Sequence, residues 1–161
     1  MAGIESPFVK VRRKLVMARI EFMGQLAAFQ HEDFARPLTA AGESPLLIAH
    51  HLSTIEGLAL EQLRRIQAED NPQLEVLLQL VPVSVKAVAS PLTLEMVLEE
   101  MSVQRNELFS YLTRLPLDCW ERPFIFASWG PRRFYQLVNM LPLHDRQHSR
   151  QLITMRSSMT R

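Results

Sequence analysis

Residues 137–152 read LVNMLPLHDRQHSRQL, and this stretch decides the architecture. Leu137, Leu141, His144, His148 and Leu152 recur every three or four positions. That is the period of one helical face, so the spacing predicts a helix with all five in a single stripe. The surrounding run extends the helix from Arg132 to Met155, with Pro131 starting it. Pro142 removes one backbone hydrogen bond inside it, so a kink is expected just before His144. The stripe directs two imidazoles, one turn apart, toward the core. Buried imidazoles need partners, and an adjacent pair suits a metal, which binds neutral imidazole.

Working outward, Ser44-Pro45 announces another helix: a capping hydroxyl, then proline at the first helical position. It runs to about Ala68. Its stripe is Leu47, Ile48, His51, Leu52, Ile55, Leu58, Ala59 and Leu63. His51 lies on the stripe. His50 is turned by about 100° toward Ser53, Gly57, Glu61 and Arg64, and is expected at solvent, a loop or the mouth of a pocket. Alone, His51 reads as a core histidine with one hydrogen-bonded nitrogen. Beside the H-x-x-x-H of the last helix, it reads as a third ligand.

Two further helices complete the set. The first covers Val9 to Gln30, with Leu15, Arg19, Phe22, Met23, Leu26 and Phe29 at helical spacing. His31 at its end reads as exposed. The third opens at Thr93 and stops at Pro116. Its stripe is Leu94, Val97, Leu98, Met101, Leu108, Phe109, Leu112 and Leu115, interrupted by Gln104 and Arg105. An arginine there pairs with Glu56, meets an anionic substrate group near the metal, or buries its stem and exposes its head. Residues 71–92 form a long crossover over one end of the bundle, with a short helix through Leu74, Leu77, Leu78 and Leu80. Residues 116–131 form a rigid aromatic loop with Cys119, Trp120, Phe124, Phe126 and Trp129, expected as a wall, a pocket lining or a dimer contact.

Composition agrees with an all-α four-helix bundle in one domain, residues 1–161. The chain has 161 residues, 47% hydrophobic and 22% charged, enough for one sizeable core. Five glycines and no alternating β-branched runs disfavour a sheet protein. A net charge of +1 implies no strong pull on nucleic acid or anionic membrane. Pairs such as Arg12-Arg13, Arg64-Arg65 and Arg132-Arg133 read as solvated helix charge. No apolar run is long enough to span a membrane. One cysteine and no signal-peptide pattern point to the reducing cytoplasm.

The chemistry expected is that of one histidine from helix two and two from helix four around a divalent ion. Three imidazoles leave coordination positions open, which is the catalytic pattern. Zinc or nickel suits such nitrogen-rich sites. The metal then acidifies its water or holds a thiolate, making a nucleophile near neutral pH. Asp145 points about 100° off the His144 face, as an outer partner or a surface residue rather than a ligand. Gln147 and Gln151 flank the site, and Gln151 is placed to contact His148 or a bound water.

Three segments carry a family resemblance: LLIAHHLSTIE at 46–56, LEEMSVQRNELFSYLTRL at 98–115, and WGPRRFYQLVNMLPLHDRQHSRQL at 129–152. Together they resemble the DinB-like superfamily of four-helix bundles, which includes bacillithiol transferases, over most of residues 9–153. The resemblance implies ligands at His51, His144 and His148, a divalent nickel or zinc ion, and often a homodimer. It implies attack on a small electrophile by a low-molecular-weight thiol, or hydrolysis. Arg105 and Gln151 are then the candidate catalytic residues. The competing expectation is a non-enzymatic, stress-associated bundle whose metal is structural or absent.

Overall fold

The computed structural model describes residues 4–75, 78, 81–85, 91–127 and 129–159. Three of its four long helices begin where a hydroxyl can satisfy a free backbone N–H. Ser6 accepts from Val9, Ser44 from Leu47 and Thr93 from Met96, each at 3.2 Å. They open α1 (Pro7–Ala27), α2 (Pro45–Ala68) and α3 (Leu94–Thr113). Ser6-Pro7 repeats the signal of Ser44-Pro45, so α1 starts two residues earlier than its apolar period suggests. The last helix, α4 (Phe134–Met159), is continuous through the buried Pro142.

The fold is the four-helix bundle expected, with a small sheet added to it. A three-stranded sheet joins β1 (Gln73–Leu74), β2 (Pro123–Phe126) and β3 (Gly130–Arg133). β1 pairs parallel with β2, and β2 antiparallel with β3. Strands of two and four residues are too short to display an alternating period. Their partners also lie far apart, as in Gln73 opposite Ile125. Three expectations change with it. Leu74 is in a strand rather than a short helix, while Leu77 and Leu80 lie outside the described residues. Pro131 belongs to β3, not to the start of α4. Arg132 is a strand residue rather than solvated helix charge. Gly130, at φ +78°, takes the left-handed conformation that glycine adopts without strain and so returns the chain into β3.

α1 packs chiefly on α4 and α2 chiefly on α3, with α2 against α4 closing the bundle. The core forms two apolar clusters. One, at the sheet end, gathers Leu15, Leu108, Leu112, Phe124, Phe134 and Leu141. The other gathers Phe22, Leu26, Ile48, Leu52, Met101 and Leu152. On α1, α3 and α4 polar side chains separate them: Arg19 follows Leu15, Arg105 follows Met101, and residues 144–149 lie between Leu141 and Leu152. None of the described helices is long and apolar enough to cross a membrane.

A candidate metal centre beside an aromatic cavity

His51 from α2 meets His144 and His148 from α4, and all three are buried. Their ring centroids lie 4.5 Å apart for His144–His148, 4.9 Å for His51–His148 and 5.2 Å for His51–His144. One ring nitrogen from each falls within 4.8 Å of the other two. The Nε2 atoms of His144 and His148 are 3.0 Å apart. That contact can be one hydrogen bond, with one ring donating. It leaves the buried Nε2 of His51 without any partner. An unsatisfied buried polar atom costs about 1–3 kcal/mol. A divalent cation shared by the three lone pairs removes that cost, so the donor set fits such an ion.

Electrostatics favour the ligand form. Burial, then the neighbouring His148 and His50, pushes His51 down to about 4. Burial, then His148, His51 and Arg19, pushes His144 down to about 3. Burial also lowers His148, opposed by its bond to Gln151. All three rings are therefore neutral near pH 7, as metal ligands must be.

The orientation of His148 is set from outside the cluster. Its Nδ1 lies 2.7 Å from Gln151 Oε1, and Gln151 Nε2 donates to Glu43 Oε1 at 3.1 Å. With the amide nitrogen on the carboxylate, the amide oxygen must face the ring. Nδ1 therefore carries the proton, and Nε2 keeps its lone pair toward the cluster. Glu43 is itself held by Thr39, whose Oγ1 donates to Glu43 Oε1 at 3.2 Å and accepts from the Glu43 N–H at 3.0 Å. Glu43 and Thr39 sit in the loop before α2, where no period marks a residue as inward-facing. Sequence reasoning therefore passed over them.

Arg105 is elsewhere. Its guanidinium bonds Glu56 at 2.8–3.2 Å, the Leu15 carbonyl at 3.2 Å and Asp145 at 3.4 Å. Arg19 completes the group, with Nε 3.0 Å from Asp145 and Nη2 3.3 Å from Glu56. Burial alone would lower the Arg19 guanidinium, but Asp145 and Glu56 more than offset it. Of the three sequence alternatives for Arg105, the structure shows the pairing with Glu56. Asp145 is buried in this network, not at the surface. His50 lies on the outer side of α2, with Nδ1 2.7 Å from Glu100. His31 is exposed, edge-on to Phe34.

His144 also reaches the wall of a cavity of about 370 Å³. Phe124, Phe126 and Trp129 from the hairpin make one side of it, and Leu137, Met140 and Leu143 of α4 another. Arg132, Gln136 and Gln147 are its other polar wall residues. The aromatic segment thus lines a pocket next to the imidazoles. The volume is in the usual range for a small-molecule site.

The model of the DinB superfamily matches residues 14–152. YfiT from Bacillus subtilis, described as a probable metal-dependent hydrolase with an unusual four-helix bundle topology, superposes with a TM-score of 0.71. That likeness covers 99% of this chain and 92% of YfiT, at 14% identity. The four-helix bundle protein TT2238 superposes with a TM-score of 0.65 at 17% identity, over 91% of this chain and 98% of its own. At such identities the likeness is one of fold. No curated protein matches the sequence.

Proposed function

This chain belongs to the DinB superfamily, and on that premise we propose that it is a metal-dependent enzyme transferring a small electrophile to water or to a low-molecular-weight thiol. His51, His144 and His148 would hold the ion, with nickel or zinc favoured by an all-imidazole donor set. A divalent ion so held would supply Lewis acidity and would lower the pKa of a nucleophile near neutral pH. The single observation that carries the reading is the buried, unpartnered Nε2 of His51 facing two other imidazoles. The adjoining cavity favours a catalytic over a purely structural ion, because His144 lines space that a substrate can fill. The description of YfiT as a probable hydrolase supports the hydrolytic branch.

The protein's own groups divide the work. Gln151 is a positioning residue: it fixes the His148 tautomer and relays the charge of Glu43. Arg105 acts at one remove, through Asp145, the sequence neighbour of His144. The apolar wall excludes water from the body of the substrate, while Gln147 offers an amide beside His144. The reading includes a cytoplasmic homodimer, supported by the free, buried Cys119 and by the exposed apolar Leu117 and Tyr135. A monomeric mass by light scattering removes the dimer.

The deciding experiment is elemental analysis of untagged protein and of its His144→Ala variant. About one nickel or zinc per chain is expected in the first and none in the second; stoichiometric metal in the variant defeats the assignment. Chelation should then abolish both hydrolysis of 4-nitrophenyl acetate and conjugation of cysteine to a chloronitrobenzene. Rates indifferent to chelation remove the catalytic role.

A further inference from the structure

One full positive charge stands on the wall of the aromatic cavity, that of Arg132. Its position follows from strand register. Arg132 lies directly opposite Phe124 in the β2–β3 pair, and opposed residues of an antiparallel pair share a face. Phe124 and Phe126 are both buried on that face, so the same pairing that seats the aromatic rings turns the guanidinium toward them. The Arg132 guanidinium lies 5.9 Å from the centre of the Trp129 ring, within reach of a cation–π attraction.

A guanidinium carries five N–H donors. Among the described residues, Arg132 donates one hydrogen bond, from Nη1 to the Pro131 carbonyl at 2.8 Å, and pairs with no carboxylate. Arg105 and Arg19 are the contrast, since their acids already occupy them. Gln136 stands beside Arg132 on the same wall. Its side-chain oxygen is taken by the Arg133 N–H at 2.8 Å, which leaves its amide nitrogen as a donor. His144 lines the same cavity. The helix rises about 15 Å between Phe134, which follows β3 directly, and His144 at its usual pitch, so Arg132 and His144 line the cavity from separated positions.

We propose that this cavity binds a monocarboxylate with an aromatic or branched apolar body, its carboxylate on Arg132 and its reacting end at His144. The proposal rests on reading the site as a metal-dependent enzyme, and it names the substrate class of that enzyme. A single cation matches one carboxylate, whereas a phosphate dianion would leave an unbalanced negative charge against three phenyl and indole faces. Planar guanidinium and planar carboxylate also meet through two parallel hydrogen bonds. The rings and the Leu137, Met140 and Leu143 side chains take the apolar body between the two ends.

The test is binding, not turnover. Metal-free protein is titrated calorimetrically with 3-phenylpropionate and with 3-phenylpropanol, which has the same body and no charge. The acid is expected to bind at least about tenfold more tightly, the scale of a charge-assisted, bidentate contact. Arg132→Gln should bring the acid down to the alcohol with the melting temperature unchanged. Arg132→Lys should keep part of the preference, and Trp129→Ala should weaken both ligands together. Equal binding of acid and alcohol, binding of neither, or a preference that survives in Arg132→Gln overturns the proposal. No metal or reaction enters the measurement. A chain that proves catalytically inert can still show the preference, and a chelator-sensitive hydrolase can still lack it.

Discussion

Two buried polar groups sit side by side in this bundle, and they are built on opposite principles. Arg19, Glu56, Arg105 and Asp145 bring one side chain from each helix and satisfy one another, two cations against two anions. His51, His144 and His148 bring three neutral bases together and leave a nitrogen without a partner. Asp145 and His144 are consecutive residues, yet each joins a different group. The difference teaches how to tell polar groups that hold a fold together from those reserved for a ligand. A closed network needs nothing more. A cluster of like groups with an orphan atom keeps its cost until something binds.

That contrast predicts unequal consequences for damage to the two groups. The largest is expected at Glu56, which both arginines share. Glu56→Ala leaves two guanidinium groups facing one carboxylate in a buried layer, at a cost of about 3–5 kcal/mol. Urea denaturation should show it in the metal-free protein, and an unchanged midpoint would mean the network is not a structural tie. Next in size is Gln151→Ala. Loss of a hydrogen-bond partner to a ligating histidine lowers metal affinity by about 10–100-fold. A chelator-competition titration should register that loss while the metal-free melting curve barely moves. If instead the melting curve drops and affinity holds, Gln151 belongs with the structural group.

The smallest stability change is expected at His51→Leu. Replacing an unsatisfied buried nitrogen with an apolar side chain of similar size should leave the metal-free protein within about 1 kcal/mol of the parent, or slightly more stable. Its acid behaviour is the sharper readout. His51 has an ordinary value of 6.5, retained when unfolded, and about 4 when folded. Between those values the unfolded chain binds a proton that the folded chain refuses. Stability of the metal-free parent therefore falls as pH drops from about 6.5 to about 4, and is indifferent to this group above 6.5. His51→Leu should make that fall shallower. An identical slope in parent and variant would show that the ring is not held neutral by burial.

Much of this was legible in residue spacing, for a physical reason. Helix and capping signals are local: Ser44 and Pro45 announce α2, and the four-residue step from His144 to His148 puts both rings on one face wherever the helix packs. The phase of α2 likewise separates the buried His51 from the half-exposed His50. Spacing said less about strands, because two- and four-residue segments carry no readable period. It misplaced Arg132 for the same reason.

From its sequence alone, this protein is a helical bundle whose second and last helices each turn histidine inward. Only the tertiary structure decided what those histidines stand beside. Arg19 meets Asp145 across 126 positions, Gln151 meets Glu43 across 108, and Arg132 faces the cavity only because β3 pairs with β2 in one register. A repeating pattern along a chain reports which face of an element is inward. It holds no record of which other element that face will meet, because that choice is made by the packing of the whole core.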